Sequence, residues 1–265
     1  MRVQEIECKT ALSASTLPGL TYSLNPYRGC EHNCAYCYAP NVLRVPRECW
    51  GDDLKVKKNI PVVLAHELKK KKPGVVGIST VTDPYQPLEQ KYTLTRFCLE
   101  QLLLYDFPVH IQTKSALVIR DIDLLTRFTN SQVMFSIGTL HDDERRLLEP
   151  QTSSIQDRVA AIVKCSKAGL KTTVFFGPVY PTITLDEISR FLDVMKDAGA
   201  QEIWIDMLRL KPGVLDNIQK TLREDQQISQ RFSKQMQQPN DYYRKIREEI
   251  QKQGKKRNLG IIDAF

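Results

Sequence analysis

Apolar residues along this chain fall into two periods. Five runs are short, nearly continuous and rich in β-branched side chains: 75–80 (VVGIST), 109–113 (VHIQT), 132–138 (QVMFSIG), 170–177 (LKTTVFFG) and 202–208 (EIWIDML). Such runs predict strands buried on both faces, as in a parallel sheet. Longer stretches between them have helical spacing. VVLAHELKKKK follows Asn59-Ile60-Pro61, which predicts a side-chain cap and a first turn, and it stops at Pro73-Gly74. Further helical patterns occupy 95–106, 153–169 and 184–200. The second ends on Gly169, a stop signal; the third opens on Thr184 and ends beside Gly199.

Strand and helix alternate without a low-complexity linker, which predicts a parallel α/β sheet with right-handed crossovers. Counting one strand ahead of residue 30, the chain has roughly six βα units, against about eight in a closed barrel. The expected fold is a partial (β/α)6 TIM-like barrel. Residues 1–213 would form this core with an N-terminal lead-in. Residues 214–265, rich in Gln, Lys and Arg, would form a C-terminal helical extension packed on it, with a helix at 239–253 and a final strand GIIDAF.

Composition adds limits. With 265 residues and 42% hydrophobic, the chain has enough apolar side chains for a barrel core. It has no run of ~18 uncharged apolar residues of the kind that spans a bilayer. The opening MRVQEIECKTALSAS lacks an apolar signal core, so a cytoplasmic protein is expected. Net charge is +7, with basic runs at 55–58, 69–72 and 254–257. Such runs are ordinarily solvated surface; converging at the barrel mouth, they would make a face for DNA or RNA.

Cys8, Cys49, Cys98 and Cys165 are scattered, whereas Cys30, Cys34 and Cys37 share the stretch NPYRGCEHNCAYCYAP. Seven irregularly spaced cysteines do not read as a disulfide framework, and clustered thiols in a reducing compartment point to metal. Three thiolates on one loop can hold three corners of a [4Fe–4S] cluster. The fourth iron is then open to a substrate or cofactor. The competing reading is a structural zinc site with His32 or Cys49 as fourth ligand. Zinc knuckles usually come as two C-x2-C pairs, and a second pair is missing from this sequence.

The C-x3-C-x2-C triad after a first strand resembles the signature of the radical S-adenosylmethionine (SAM) superfamily. The longer strings YSLNPYRGCEHNCAYCYAP and VTDPYQPLEQKY resemble its spore photoproduct lyase-like branch, over about residues 10–215. The resemblance implies a [4Fe–4S] cluster on Cys30, Cys34 and Cys37, with SAM chelating the open iron through its amino and carboxylate groups. An electron from a donor such as flavodoxin or ferredoxin then cleaves the sulfonium and releases a 5′-deoxyadenosyl radical. It also implies SAM contacts. Tyr36 would lie near the adenine. The Thr82 hydroxyl would replace the Gly-Gly-Glu segment of most superfamily members, oriented by Asp83. Lys114 would meet the carboxylate or ribose, Ser136 the ribose, and Gly177 the adenine.

Thr80 stands where spore photoproduct lyases carry the cysteine that returns a hydrogen atom to product. An alcohol is a much poorer hydrogen-atom donor than a thiol, so the resemblance implies the cofactor chemistry rather than thymine-dimer repair. The expected function is a radical SAM enzyme that abstracts hydrogen from a substrate. Nucleic acid is favoured by branch and charge, with a peptide or metabolite open. The alternative is a non-catalytic nucleic-acid-binding module stabilised by zinc or an inert cluster, with a fourth protein ligand and no SAM affinity.

Overall fold

The computed structural model describes residues 1–264. Its strands are β1 (Arg2–Ile6), β2 (Leu12–Ala14), β3 (Tyr22–Leu24), β4 (Tyr27–Arg28), β5 (Asp53–Lys57), β6 (Val76–Ile78), β7 (Val109–Thr113), β8 (Ser131–Ser136), β9 (Lys171–Phe176), β10 (Glu202–Ile205) and β11 (Gly260–Asp263). The five apolar runs became β6 to β10. They pair in parallel in the order β3-β6-β7-β8-β9-β10-β11, and β2 adds an antiparallel edge beside β3. The sheet stays open between β2 and β11 among the described residues, as a partial barrel requires. Val76, Ile78, Val109, Ile111, Val133, Phe135, Val174 and Phe176 are all buried in one continuous core. No helix among the described residues is long and apolar enough to cross a membrane.

Helix limits follow from local chemistry. Helix Ile155–Lys167 is capped by the Ser154 side chain, which accepts from the Asp157 N–H, and Gly169 follows it at φ +84°. Helix Leu185–Asp197 opens with a reciprocal capping box between Thr184 and Glu187, and Gly199 follows at φ +95°. Asn59 differs from expectation. Its side chain does not cap helix Ile60–Leu68. It accepts from the Cys8 N–H at 2.8 Å and donates to the Cys8 carbonyl at 3.0 Å, pinning the N-terminal lead-in instead.

Two further placements were not foreseen. A second sheet, β1-β5-β4, forms beside the barrel and delivers the chain to Cys30. Its strands are short and their burial is one-sided: Leu54 and Val56 are buried while Lys55 and Lys57 between and beside them are not. After helix Pro239–Lys256, β11 joins the main sheet in register with β10, Glu202 opposite Gly260 and Ile205 opposite Asp263. Phe265, the end of the expected strand, lies outside the described residues.

The basic runs do not converge. Residues 69–72 follow helix Ile60–Leu68 and precede β6, at the amino ends of the strands. There Tyr22, which opens β3, donates to the Lys72 carbonyl and sits under the Lys71 ammonium. Residues 254–257 likewise close a helix just ahead of β11. Both lie on the end opposite the cysteine loop, which follows the carboxyl end of β3. Only 55–58 runs beside the approach to that loop, where the Lys57 N–H meets the Pro26 carbonyl.

Candidate cofactor site at the barrel mouth

The loop from β3 reaches the thiols through Gly29, at φ +88°. A Cβ there would stand 2.7 Å from the Asp53 carbonyl, so only glycine lets the loop lie on β5. Cys30 and Cys34 are buried, Cys37 is half-buried, and all three are free thiols. They lie within each other's electrostatic reach. Burial pushes the Cys34 thiol well up, with Lys114 opposing and Glu149, Cys37 and Cys30 adding to the rise. Burial also lifts Cys37, to about 11. Cys34 and Cys37 therefore favour the neutral thiol by themselves, and a bound metal would expel their protons.

The loop after β6 holds this arrangement. Thr82 Oγ1 donates to the Gly29 carbonyl at 2.6 Å and accepts from Gln86 Nε2 at 3.1 Å. Gln86 Oε1 in turn accepts from the Glu31 N–H at 2.8 Å. Asp83 is buried and accepts from Tyr85 N, Thr113 Oγ1 and Lys114 N at 2.7–2.9 Å, tying β6 to β7. Burial raises its proton affinity, but His32 and these donors outweigh it and hold the carboxyl down at about 2. His32 is buried with Nδ1 3.4 Å from Asp83. Burial disfavours its charge, yet Asp83 and Cys30 raise it to about 10. Cys49, the other residue named for zinc, is exposed. Among the described residues no three of His, Cys, Asp and Glu could hold a single ion. A cubane makes no such demand, because each thiolate binds a different iron.

Tyr36 faces Tyr180 edge-on, centroids 5.8 Å apart, and the Lys114 ammonium lies 5.8 Å over its ring. Lys114 is half-buried. Burial opposes its charge, but Cys34, Glu149 and Asp83 hold it firmly protonated. The Tyr36 hydroxyl donates to Glu149, a buried carboxylate paired with the fully buried Arg158 at 2.5 Å. Arg158 also donates to the Ser136 carbonyl at 2.8 Å. Ser136 is buried, and its Oγ accepts from Gln112. Gly177 has a local reason for lacking a side chain: a Cβ would meet the Phe175 ring at 2.3 Å.

All the residues expected to contact SAM thus sit at the carboxyl ends of strands or in the loops that follow. Sequence reading missed Glu149, Arg158, Tyr180 and Trp50, none of which belongs to a motif. Among the described residues, four buried polar atoms lack a hydrogen-bond partner: His32 Nδ1, Trp50 Nε1, Ser79 Oγ and Tyr180 Oη. All four belong to these mouth loops. Buried polar atoms are normally satisfied, so their concentration here marks a place shaped for a bound group.

An open parallel barrel with three soft donors and a half-buried cation at its mouth defines a cofactor-dependent α/β-barrel enzyme. The chain belongs to the radical SAM superfamily, whose family model, Radical SAM superfamily, matches residues 24–195. Membership carries SAM and an iron–sulfur cluster as cofactors. The chain is 30% identical over 184 residues to an uncharacterized protein of Methanocaldococcus jannaschii, covering 69% of this chain and 70% of that one. It is 32% identical over 222 residues to an uncharacterized protein of Mycobacterium tuberculosis, covering 78% and 65%. A Pseudomonas phage M6 protein named radical SAM Nalpha-GlyT isomerase is 29% identical over 182 residues, covering 67% of this chain and 37% of the phage protein. The fold is similar to spore photoproduct lyase complexed with dinucleoside spore photoproduct, with TM-score 0.64, 17% identity, and coverage of 84% and 67%.

Proposed function

We propose that this protein holds a [4Fe–4S] cluster on Cys30, Cys34 and Cys37, cleaves SAM reductively, and abstracts hydrogen from a nucleic-acid substrate. The observation that carries the reading is three adjacent free thiols on one loop, with Cys34 and Cys37 in the electrostatic reach of the Lys114 ammonium. The bound cluster and SAM would supply a one-electron cleavage that yields the 5′-deoxyadenosyl radical. The chain's own residues bind and orient. Lys114 makes no ion pair closer than 4.0 Å among the described residues, so its charge is available to a carboxylate. Thr82 has spent its proton on Gly29; its remaining lone pair suits an amino group's N–H. Ser136 accepts from Gln112 and keeps its own O–H for a ribose oxygen. Tyr36 offers a ring face fixed by Glu149 for adenine, and Gly177 bounds the same space.

Anaerobic reconstitution tests this directly. Lys114→Ala should retain the iron of the parent protein and bind SAM about tenfold or more weakly, as losing a charge-assisted contact costs roughly 1.5–3 kcal/mol. Equal SAM affinity would remove Lys114 from the site. Wild-type protein carrying one zinc and no iron, with no SAM affinity, would establish the non-catalytic module instead.

The nucleic-acid part rests on surface chemistry. Exposed Arg44 and Lys211 accompany exposed Tyr38, Met207 and Leu210 on the segments after β4 and β10. The two segments touch, Asn41 Nδ2 donating to the Pro212 carbonyl at 3.1 Å. Cationic and apolar groups side by side suit phosphates and bases. The name of the dinucleoside-bound lyase, whose fold is similar, agrees with that class. Binding to short oligonucleotides should weaken steeply with salt and should stimulate 5′-deoxyadenosine release. Negligible binding at low salt would redirect the search to peptides or metabolites.

A further inference from the structure

Residues 47–51 strap back across the cysteine loop. Arg47 donates to the Cys37 carbonyl at 2.9 Å and to Asn41 Oδ1 at 2.7 Å. Gly51, at φ +92°, presses so close that a Cβ would stand 2.6 Å from the Asn33 side chain. Between these anchors Trp50 is 4% exposed and packs with Cys30 and Ala39, with Cys37, Leu43 and Val81 against the same group. Its indole Nε1 has no acceptor. The other tryptophan, Trp204, has one: it donates to Glu202 at 3.1 Å. A buried indole N–H ordinarily finds a partner. Among the apolar side chains packed with Trp50 are two of the three cluster thiols, Cys30 and Cys37.

We propose that the Trp50 indole N–H donates a hydrogen bond to sulfur of the cluster, a thiolate or a sulfide on the side of Cys30 and Cys37, and thereby raises the cluster's reduction potential. The inference rests on the cluster assignment above. Its physical basis is charge. One-electron reduction adds negative charge spread over the sulfurs, so a fixed donor stabilises the reduced form more than the oxidised one. The strap gives the donor a fixed position, and burial excludes the water that would otherwise compete for it.

Trp50→Phe keeps an aromatic ring in the packed group and removes the N–H together with the rest of the five-membered ring. The reconstituted variant should hold as much iron as wild type, with its reduction equilibrium lowered about tenfold. For a one-electron couple that is about 59 mV more negative, read by potentiometric titration followed by EPR. Equal potentials at equal iron content would overturn the proposal. A second measurement avoids reliance on that variant's folding. In Trp204→Phe protein labelled with 15N-indole tryptophan, pulsed EPR of the reduced cluster should show a weak coupling to the one remaining indole nitrogen. A normal reduced cluster without that coupling sinks the proposal alone. Wild-type protein that assembles no cluster sinks the cluster assignment and this inference with it.

Discussion

Cys34→Ala protein, reconstituted anaerobically, is expected to retain almost none of the ~4 irons per chain that a [4Fe–4S] cluster brings, and to lose SAM cleavage completely. The same result is expected for Cys30→Ala and Cys37→Ala, because a cubane held by only two thiolates leaves two irons open to solvent. Cys34 is small and buried against its loop, so replacing it with alanine changes little packing. Cys98→Ala is the matched control. Cys98 is also fully buried, but it lies in helix Leu94–Leu103 within the barrel core. That variant should lose some stability to a small cavity and keep its iron. Iron near the wild-type level in the Cys34 variant would show that the thiols are not the ligands.

Arg158→Met should destabilise the fold by about 3–5 kcal/mol, the usual cost of stripping one partner from a buried ion pair. Both partners are almost inaccessible: Arg158 is 0% and Glu149 1% exposed. The guanidinium satisfies Glu149, the Ser136 carbonyl and the Ser153 carbonyl at once. Without it, Glu149 keeps a charge in the interior with the hydroxyls of Tyr36 and Thr152 and the more distant Lys114 ammonium to meet it. Urea titration should therefore show a much lower midpoint with an unchanged slope. The double variant Arg158→Met/Glu149→Leu should recover much of the loss, since the uncompensated charge is gone. An unchanged midpoint in the single variant would mean that solvent reaches the pair. Because Glu149 also fixes the Tyr36 hydroxyl, SAM affinity should fall in the double variant even where the fold is restored.

The difference between these two experiments reflects how each site could be read. The three cysteines could be picked out as a group because they share one short loop, and close spacing of soft donors is a local pattern. The strands β6 to β10 were legible for a similar reason: a strand buried on both faces must be apolar at successive positions, whatever surrounds it. The cap on Thr184 was legible because its partner, Glu187, is three residues away. Asn59 carried an equally good cap signature, but its amide is taken by Cys8, 51 residues distant. Local pattern could not show that competitor.

The sequence by itself thus determined the parallel α/β architecture, the thiol triad, and the superfamily they imply. Each follows from interactions between near neighbours or from the period of burial. Tertiary structure alone decided the rest. It set Glu149 against Tyr36 across 113 residues and enclosed Arg158 with it, whereas charged residues at most positions stay in water. It sent the basic runs at 69–72 and 254–257 to the end away from the thiols, because a helix that returns to the next strand ends at that strand's beginning. It also folded Trp50 back over Cys30 with its N–H unanswered. A side chain's partner across a barrel depends on where several separate crossovers bring the chain, and no spacing along the sequence encodes that.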